Sequence, residues 1–493
     1  MTPDDDAPPT RRSARRAASA GTSTAVASAS TVGTTTTTLP AVLSPSAGEP
    51  QALGWVDEYA IAYAPAATLT LEAAATPYVI VGPELLSNPP RRSPWRAGVL
   101  VPIAIIALLI SGYSATTLLW PLHAVAPTVE AAQVDPIAAA PAALTWPAEG
   151  SAAVAVAGIG GAVASTVDAS QIASITKVVT ALLVLDAMPL AVGEQGPEFR
   201  FTSRDSDMYW TYLSNNESAL DVPAGGSLTE YQMLQGMLIG SANNYADRLA
   251  GNLWPTDAVF ANAANTWLSA HGVPGITIVE PTGLDPRNAA TPEALIALAK
   301  HAMADPVIAE IVGTHAVELP GAGLVENTNG LLADPGVVGI KTGSLDAYTL
   351  LSAKDVLVGE TTVRLYGAVL GQPDNDARLA ASRLLYSEVE LGLQPVPSVT
   401  KGTVVGHVST EWGQDVAIVT DEDANVILWN GASGTVETDF SLGAEREEGA
   451  EVGTLSVQGP LDAARTQLAL ADDIEPPSIW WRLTHPFDLF GLA

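Results

Sequence analysis

The chain has 493 residues, 47% of them hydrophobic, which is too long for one average domain and enough to bury a sizeable core. It has no cysteine, so disulfide scaffolds, thiolate metal sites and thiol nucleophiles are excluded. With 22 Lys and Arg against 53 Asp and Glu the formal charge is −31, a field that repels phosphate backbones and argues against nucleic acid as a partner.

Residues 1–95 are rich in Ala, Thr, Ser and Pro, with a threonine run from Thr34 to Thr38. Such a stretch buries too little apolar surface to offset chain entropy and predicts a disordered tail, with Tyr78 to Leu86 a sticky part of it. Residues 96–120 follow as a predicted transmembrane helix, since Ala97 to Trp120 carries no charge and is long enough to cross a hydrocarbon layer. Arg91, Arg92 and Arg96 precede it and no basic residue follows for dozens of positions. A single-pass cell-membrane protein is therefore expected, its amino terminus cytoplasmic and its remainder extracellular. A cleaved leader at Ala124-Val125-Ala126 is the rival, but the apolar run exceeds the ~7–15 residues of a signal core and Pro127 follows the site. Residues 121–148, rich in Ala and Pro, read as a linker.

A main domain is expected over residues 149–392. Ala152 to Ala157 and Ala162 to Val167 flank the glycine turn at Gly158 to Gly161, a hairpin signal. Helical patterns follow: Ser174 to Ala187, apolar on most faces; Leu228 to Leu238, behind a Ser227-x-x-Glu230 capping box; and Thr256 to His271, closed by Gly272. Strand-like runs return at Val337 to Ile340, Tyr348 to Ala353 and Thr362 to Leu370, before a last helix from Asp376 to Leu391. The pattern is a sheet with a helical insertion, an α/β fold. Residues 393–493 show short alternating runs at Val404 to Val408, Val416 to Thr420, Val426 to Trp429 and Val452 to Val457, and predict a small all-β domain. The tail from Ile479 to Phe490 is expected to pack on that domain, with a place at a membrane interface as the alternative.

Ser174 and Lys177 stand three residues apart at the start of the first strong helix, so hydroxyl and amine share a face. A serine hydroxyl needs a base, and a lysine serves as one only when burial or nearby cations depress its pKa. Ala173, Ile175, Val178 and Val179 supply an apolar wall. A second match, Ser398 with Lys401, lies among Pro395, Pro397 and Gly402, where no helix can align the pair. Lys341-Thr342-Gly343-Ser344 ends a strand and offers an ammonium, a hydroxyl for a carboxylate, and room for backbone to approach. Between the two motifs lies Ser241-Ala242-Asn243, in a turn after a helix, where a hydroxyl can relay a proton and an amide can orient the lysine. The six histidines show no ligand spacing, and neither cofactor nor metal is expected.

S-x-x-K, S-x-N and K-T-G in this order resemble the serine penicillin-recognising enzymes. The flanks, Ala173 to Ala181, Gly240 to Asn244, Pro281 to Asp285, Asn327 to Leu332 and Gly339 to Gly343, narrow the resemblance to low-molecular-mass D-alanyl-D-alanine carboxypeptidases over roughly residues 150–390. It implies a β-lactamase/transpeptidase-like domain, an antiparallel sheet flanked by helices, whose substrate is a peptidoglycan stem peptide and whose covalent inhibitors are β-lactams. Ser174 would attack the carbonyl between the two terminal D-alanines and Lys177 take its proton. Ser241 would pass a proton toward the leaving amine, with Asn243 positioning the groups. Lys341 and Thr342 would hold the terminal carboxylate, and the N–H groups of Ser174 and Ser344 the oxyanion. Thr328 stands where some relatives have arginine, and the segment 189–222, with Met208 to Tyr212, is long; core packing is expected for it, a wall over the cleft being the alternative. A β-lactamase, with Glu280 activating the deacylating water, and a non-catalytic cell-wall-binding protein are the competing readings.

Overall fold

A computed structural model describes residues 97–492; the expectations for the tail and for the three arginines before the apolar run lie outside the described residues. Helix α1 (Ala97–Leu119) has a mean hydropathy of 2.1, and the apolar window that gives it this value is not buried by the protein. An apolar window of this length uncovered by protein matches the composition of a membrane span.

The stretch expected as a linker is built into the C-terminal domain instead. Strand β1 (Thr128–Ala131) pairs antiparallel with Val404–Ser409, and Val129, Val134 and Ala139 pack on that domain's core. Beyond it, Ile137 N–H donates to Ser398 O at 2.7 Å and Ala139 N–H to Ala432 O at 2.9 Å. A four-residue strand among alanines and prolines has too short an alternation to read, and its partner lies far along the chain.

The main sheet has five antiparallel strands. Strands β2 (Ser151–Val156) and β3 (Ile159–Ala164) form a hairpin with a tighter turn than expected, at Ala157-Gly158, where Gly158 takes φ +81. Strands β4 (Val337–Ser344), β5 (Tyr348–Val358) and β6 (Thr361–Gln372) complete the order β4-β5-β6-β2-β3. The pleat alternates as a strand's period of two requires. Ala153 and Ala155 enter a core with Val178, Leu183 and Met233, while Ala152, Val154 and Val156 face Leu385, Tyr386 and Val389.

Between β3 and β4 come α2 (Thr176–Ala187), α3 (Ser203–Ser214), α4 (Glu230–Leu238), α5 (Asn243–Leu253), α6 (Asp257–Ala270), α7 (Pro292–Ala304) and α8 (Pro306–Val312); α9 (Asn375–Gly392) covers the opposite face. Helix α2 is buried from Thr176 to Leu185, a central core helix as its all-round apolarity predicts. The capping box of α4 is Thr229 with Gln232, not Ser227 with Glu230, because Ser227–Thr229 pairs as a short strand with Glu198–Arg200.

The C-terminal domain is a six-stranded antiparallel sheet in which β1 pairs with β7 (Val404–Ser409), followed by β8 (Asp415–Thr420), β11 (Ala463–Leu470), β10 (Glu451–Gln458) and β9 (Thr435–Phe440) at the other edge. Strands β9 and β11 have no sequence counterpart above; β9 alternates half-buried and exposed residues, and its Thr-Val-Glu-Thr-Asp-Phe composition hides the strand. Two short helices end the chain, α10 (Ile479–Thr484) and α11 (Pro486–Leu489), with Trp481 and Leu489 packed against Val125.

Candidate active site

Ser174 stands on a single 3-10 turn, Ala173–Ile175, that leads into α2. Ala173 takes φ +46, and the turn is seated against Gly283, where an added Cβ would come within 2.0 Å of the Ala173 carbonyl oxygen. Ser174 is half-buried and so within reach of a ligand. One turn on, Lys177 Nζ lies 2.9 Å from Ser174 Oγ, 2.6 Å from Asn243 Oδ1 and 2.6 Å from Thr282 O.

Lys177 is fully buried, and that burial lowers its pKa from 10.5 to about 7, against the opposing pull of Glu280 and Asp247. Two of its three partners are carbonyl oxygens, which only accept. In the neutral amine both N–H bonds are therefore committed to Asn243 and Thr282, leaving the lone pair for the proton of Ser174. A base formed in this way needs no histidine or metal.

Asn243 opens α5, with its backbone N–H held by Ser218 O at 2.9 Å. Ser241, two residues earlier, is buried at φ +62 in the turn between α4 and α5.

The opposite wall is the end of β4. Lys341 is buried, and among the described residues its Nζ has no hydrogen-bond partner. Burial, then the charges of Lys177 and Arg378, hold its pKa well below the ordinary lysine range. Thr342 Oγ1 shares a 2.7 Å hydrogen bond with Thr328 Oγ1, so the residue that stands for an arginine supports the strand's hydroxyl. At Gly343 an added Cβ would meet Thr349 Oγ1 at 2.5 Å and Ile172 O at 2.8 Å, which is why the strand end lies close against the nucleophile turn. Ser344, at the end of the strand, is exposed.

Several participants have no signal in the motifs. Arg378, from α9, donates to Gly343 O and Thr349 O at 3.0 Å each, bracing the strand end from behind. Thr282 acts through a backbone oxygen. Glu280 accepts from Thr282 N–H at 2.7 Å, Thr282 Oγ1 at 2.6 Å and Gly283 N–H at 2.6 Å, and from Asn288. It shapes the loop that aims Thr282 O at Lys177. Asp247, one turn beyond Asn243, accepts from Tyr212 of α3, and burial raises its pKa to about 6. The expectation that Met208 to Tyr212 packs in the core fails: α3 contributes no buried residue, and its polar spacing makes it a rim element resting on α5. Ser398 and Lys401 do not meet, since Ser398 is buried in the strand Pro395–Val399 and Lys401 lies exposed beside Asp421.

Residues 148–373 match the family described as D-alanyl-D-alanine carboxypeptidase, Peptidase_S11. The D-alanyl-D-alanine carboxypeptidase DacB2 of Mycobacterium tuberculosis is 31% identical over 182 residues, 36% of this chain and 58% of that protein, so the chain spans less than two thirds of this relative. Among solved structures, the Streptomyces K15 DD-transpeptidase aligns with 23% identity and a TM-score of 0.43 over 50% of this chain and 98% of its own. Penicillin binding protein 5 from Haemophilus influenzae aligns with 17% identity and a TM-score of 0.48 over 67% and 98%.

Proposed function

From the match of residues 148–373 to the D-alanyl-D-alanine carboxypeptidase family, we propose that this chain removes the terminal D-alanine from peptidoglycan stem peptides through an acyl-enzyme on Ser174. The observation that carries the proposal is the 2.9 Å contact between Ser174 Oγ and a lysine amine whose other partners are both acceptors.

Neutral Lys177 takes the proton of Ser174 as Oγ attacks the carbonyl between the two D-alanines. Positioned base catalysis of this type contributes roughly 10²–10⁴-fold. The oxyanion is received by the N–H groups of Ser174 and Ser344, each such donor being worth about 2.7–4 kcal/mol of barrier. Ser241 relays the proton taken up by Lys177 to the departing amine of D-alanine, which leaves Lys177 neutral and the Ser241 hydroxyl intact, and water then cleaves the acyl-enzyme to free the shortened stem. The terminal carboxylate lies against Lys341 and Thr342. An ammonium with no internal partner is the counter-charge such a group needs, and the arriving carboxylate restores the proton that burial disfavours. β-Lactams acylate the same serine.

Glu280 speaks against lactam hydrolysis as the main activity, because its carboxylate oxygens are already taken up by the loop 282–288. We place the enzyme at the cell membrane through α1, single-pass, with the amino terminus inside as Arg91, Arg92 and Arg96 direct, and with the catalytic domain outside. The test follows both D-alanine release from a Lys-D-Ala-D-Ala peptide and penicillin turnover. D-Alanine release with a long-lived penicilloyl adduct is expected; rapid penicillin turnover without D-alanine release would make the chain a lactamase.

A further inference from the structure

Helix α5 has a second face besides the one that meets the active site. Asn243 accepts from Lys177, while Asn244, Asp247 and Arg248 turn toward α3 and line a cavity of about 150 Å³. Phe201, Asp205, Met208 and Val222 complete its wall. Asn244 is held in place by Leu220, accepting from its N–H at 3.2 Å and donating to its O at 2.7 Å. Met208 is 45% exposed, which leaves a ligand a way in from the rim.

The charges around this cavity are only partly satisfied by the protein. Arg248 Nε is buried and, among the described residues, has no hydrogen-bond partner; the guanidinium lies over the Phe199 ring, its carbon 5.8 Å from the centroid. A ring face attracts the cation but accepts no in-plane N–H, so the planar fork is left for a carboxylate, the group it fits in bidentate fashion. The two carboxylates each spend one oxygen inside the protein. Asp205 Oδ2 accepts from Thr202 N–H at 2.7 Å and Thr202 Oγ1 at 2.8 Å, and Asp247 Oδ2 accepts from Tyr212 Oη. Oδ1 of each remains for a donor with several N–H bonds, which an ammonium is. Burial raises the Asp247 pKa to about 6, and a cation beside it restores the charge that burial disfavours.

We propose that this cavity binds D-alanine as its zwitterion, with the carboxylate on Arg248, the ammonium between Asp205 and Asp247, and the methyl group against Phe201, Met208 and Val222. The choice of D-alanine rests on the proposed function, whose reaction releases it; the demand for paired charges does not. A simple anion would meet two carboxylates and a simple cation the guanidinium, so only a molecule carrying both signs is attracted throughout. At ~30 Å³ per water the cavity has the volume of about five waters, which suits alanine and excludes an aromatic side chain. Because Asn243 and Asp247 stand one turn apart on α5, the released product is kept beside the helix that holds the base.

Calorimetric titration with D-alanine, propionate and ethylamine tests this in the full chain in detergent near neutral pH, after penicillin has filled the Ser174 pocket. Saturable D-alanine binding is expected, with the two half-ligands weaker by about tenfold or more. Arg248→Met removes a guanidinium whose Nε has no protein partner, so it should keep the wild-type urea midpoint and weaken D-alanine by about tenfold or more. Met208→Trp sets a bulky ring over the exposed edge and should weaken it as well, a check that does not depend on the folding of Arg248→Met. No D-alanine binding in wild type, binding that survives both substitutions, or propionate bound as tightly as D-alanine overturns the proposal. Should intact mass show no penicilloyl adduct, the function proposed above fails by itself; D-alanine binding that is lost in Arg248→Met still supports the cavity.

Discussion

The proposed removal of the Ser174 proton by Lys177 would make acylation depend on pH in a calculable way. With its pKa lowered from 10.5 to about 7, Lys177 is about one-tenth neutral at pH 6 and about nine-tenths neutral at pH 8. An ordinary lysine would be neutral in roughly three molecules per ten thousand at pH 7. The rate of acylation by fluorescent penicillin, followed from about pH 5 to 9, is therefore expected to rise about tenfold between pH 6 and 8 and then level off. The same shift carries a stability term of about 5 kcal/mol. The folded-state pKa is the lower one, so the unfolded chain holds more protons between about pH 7 and 10.5; stability rises with pH through that window, and the cost of burying the ammonium is fully present below it. Replacing Lys177 by methionine leaves two carbonyls unpaired at every pH but removes the titration. The difference in urea midpoint between Lys177→Met and wild type should thus favour the variant most near pH 6 and shift toward wild type as pH rises. Acylation that is independent of pH, or that rises only above about pH 9, would refute the neutral-lysine base.

Lys341→Ala should raise KM for carboxylate-ended peptides and leave an amidated peptide unaffected, since its ammonium has no structural partner to lose; steady-state kinetics on the two peptides check this. Gly283→Ala should cost about 1–3 kcal/mol in urea unfolding and slow acylation, because its φ is +89 and a Cβ would strike the Ala173 carbonyl.

The legible parts were those in which chemistry and local geometry share one stretch of chain. Ser174 and Lys177 are a turn apart, and the burial of α2 that lowers the pKa of the lysine is written in its apolar faces. Lys341 to Gly343 could be read as a carboxylate wall because a strand end carries few side chains. Thr282 lies in the flank from Pro281 to Asp285, but its contact with Lys177 has no signal there because it is made by a backbone oxygen, which no side-chain pattern records. Arg378 braces the wall from a helix on the other face of the sheet, a relation set by tertiary packing. Strand β1 is hidden in an alanine- and proline-rich stretch whose partner is remote, and the aromatic run that ends at Tyr212 reads as core although its helix lies at the rim. Ser398 and Lys401 satisfy the same spacing rule as the reactive pair, but a strand holds Ser398 where a helix would be needed.

The central claim is that the Ser174 hydroxyl is the one activated by a buried amine. Mass spectrometry of the intact chain after mixing with penicillin, followed by peptide mapping in wild type and Ser174→Ala, tests it most directly. The account predicts a single penicilloyl adduct on the peptide that contains Ser174, absent from the variant although the variant unfolds at the wild-type urea midpoint. An adduct retained by Ser174→Ala, or mapped to Ser241 or Ser398, would contradict it.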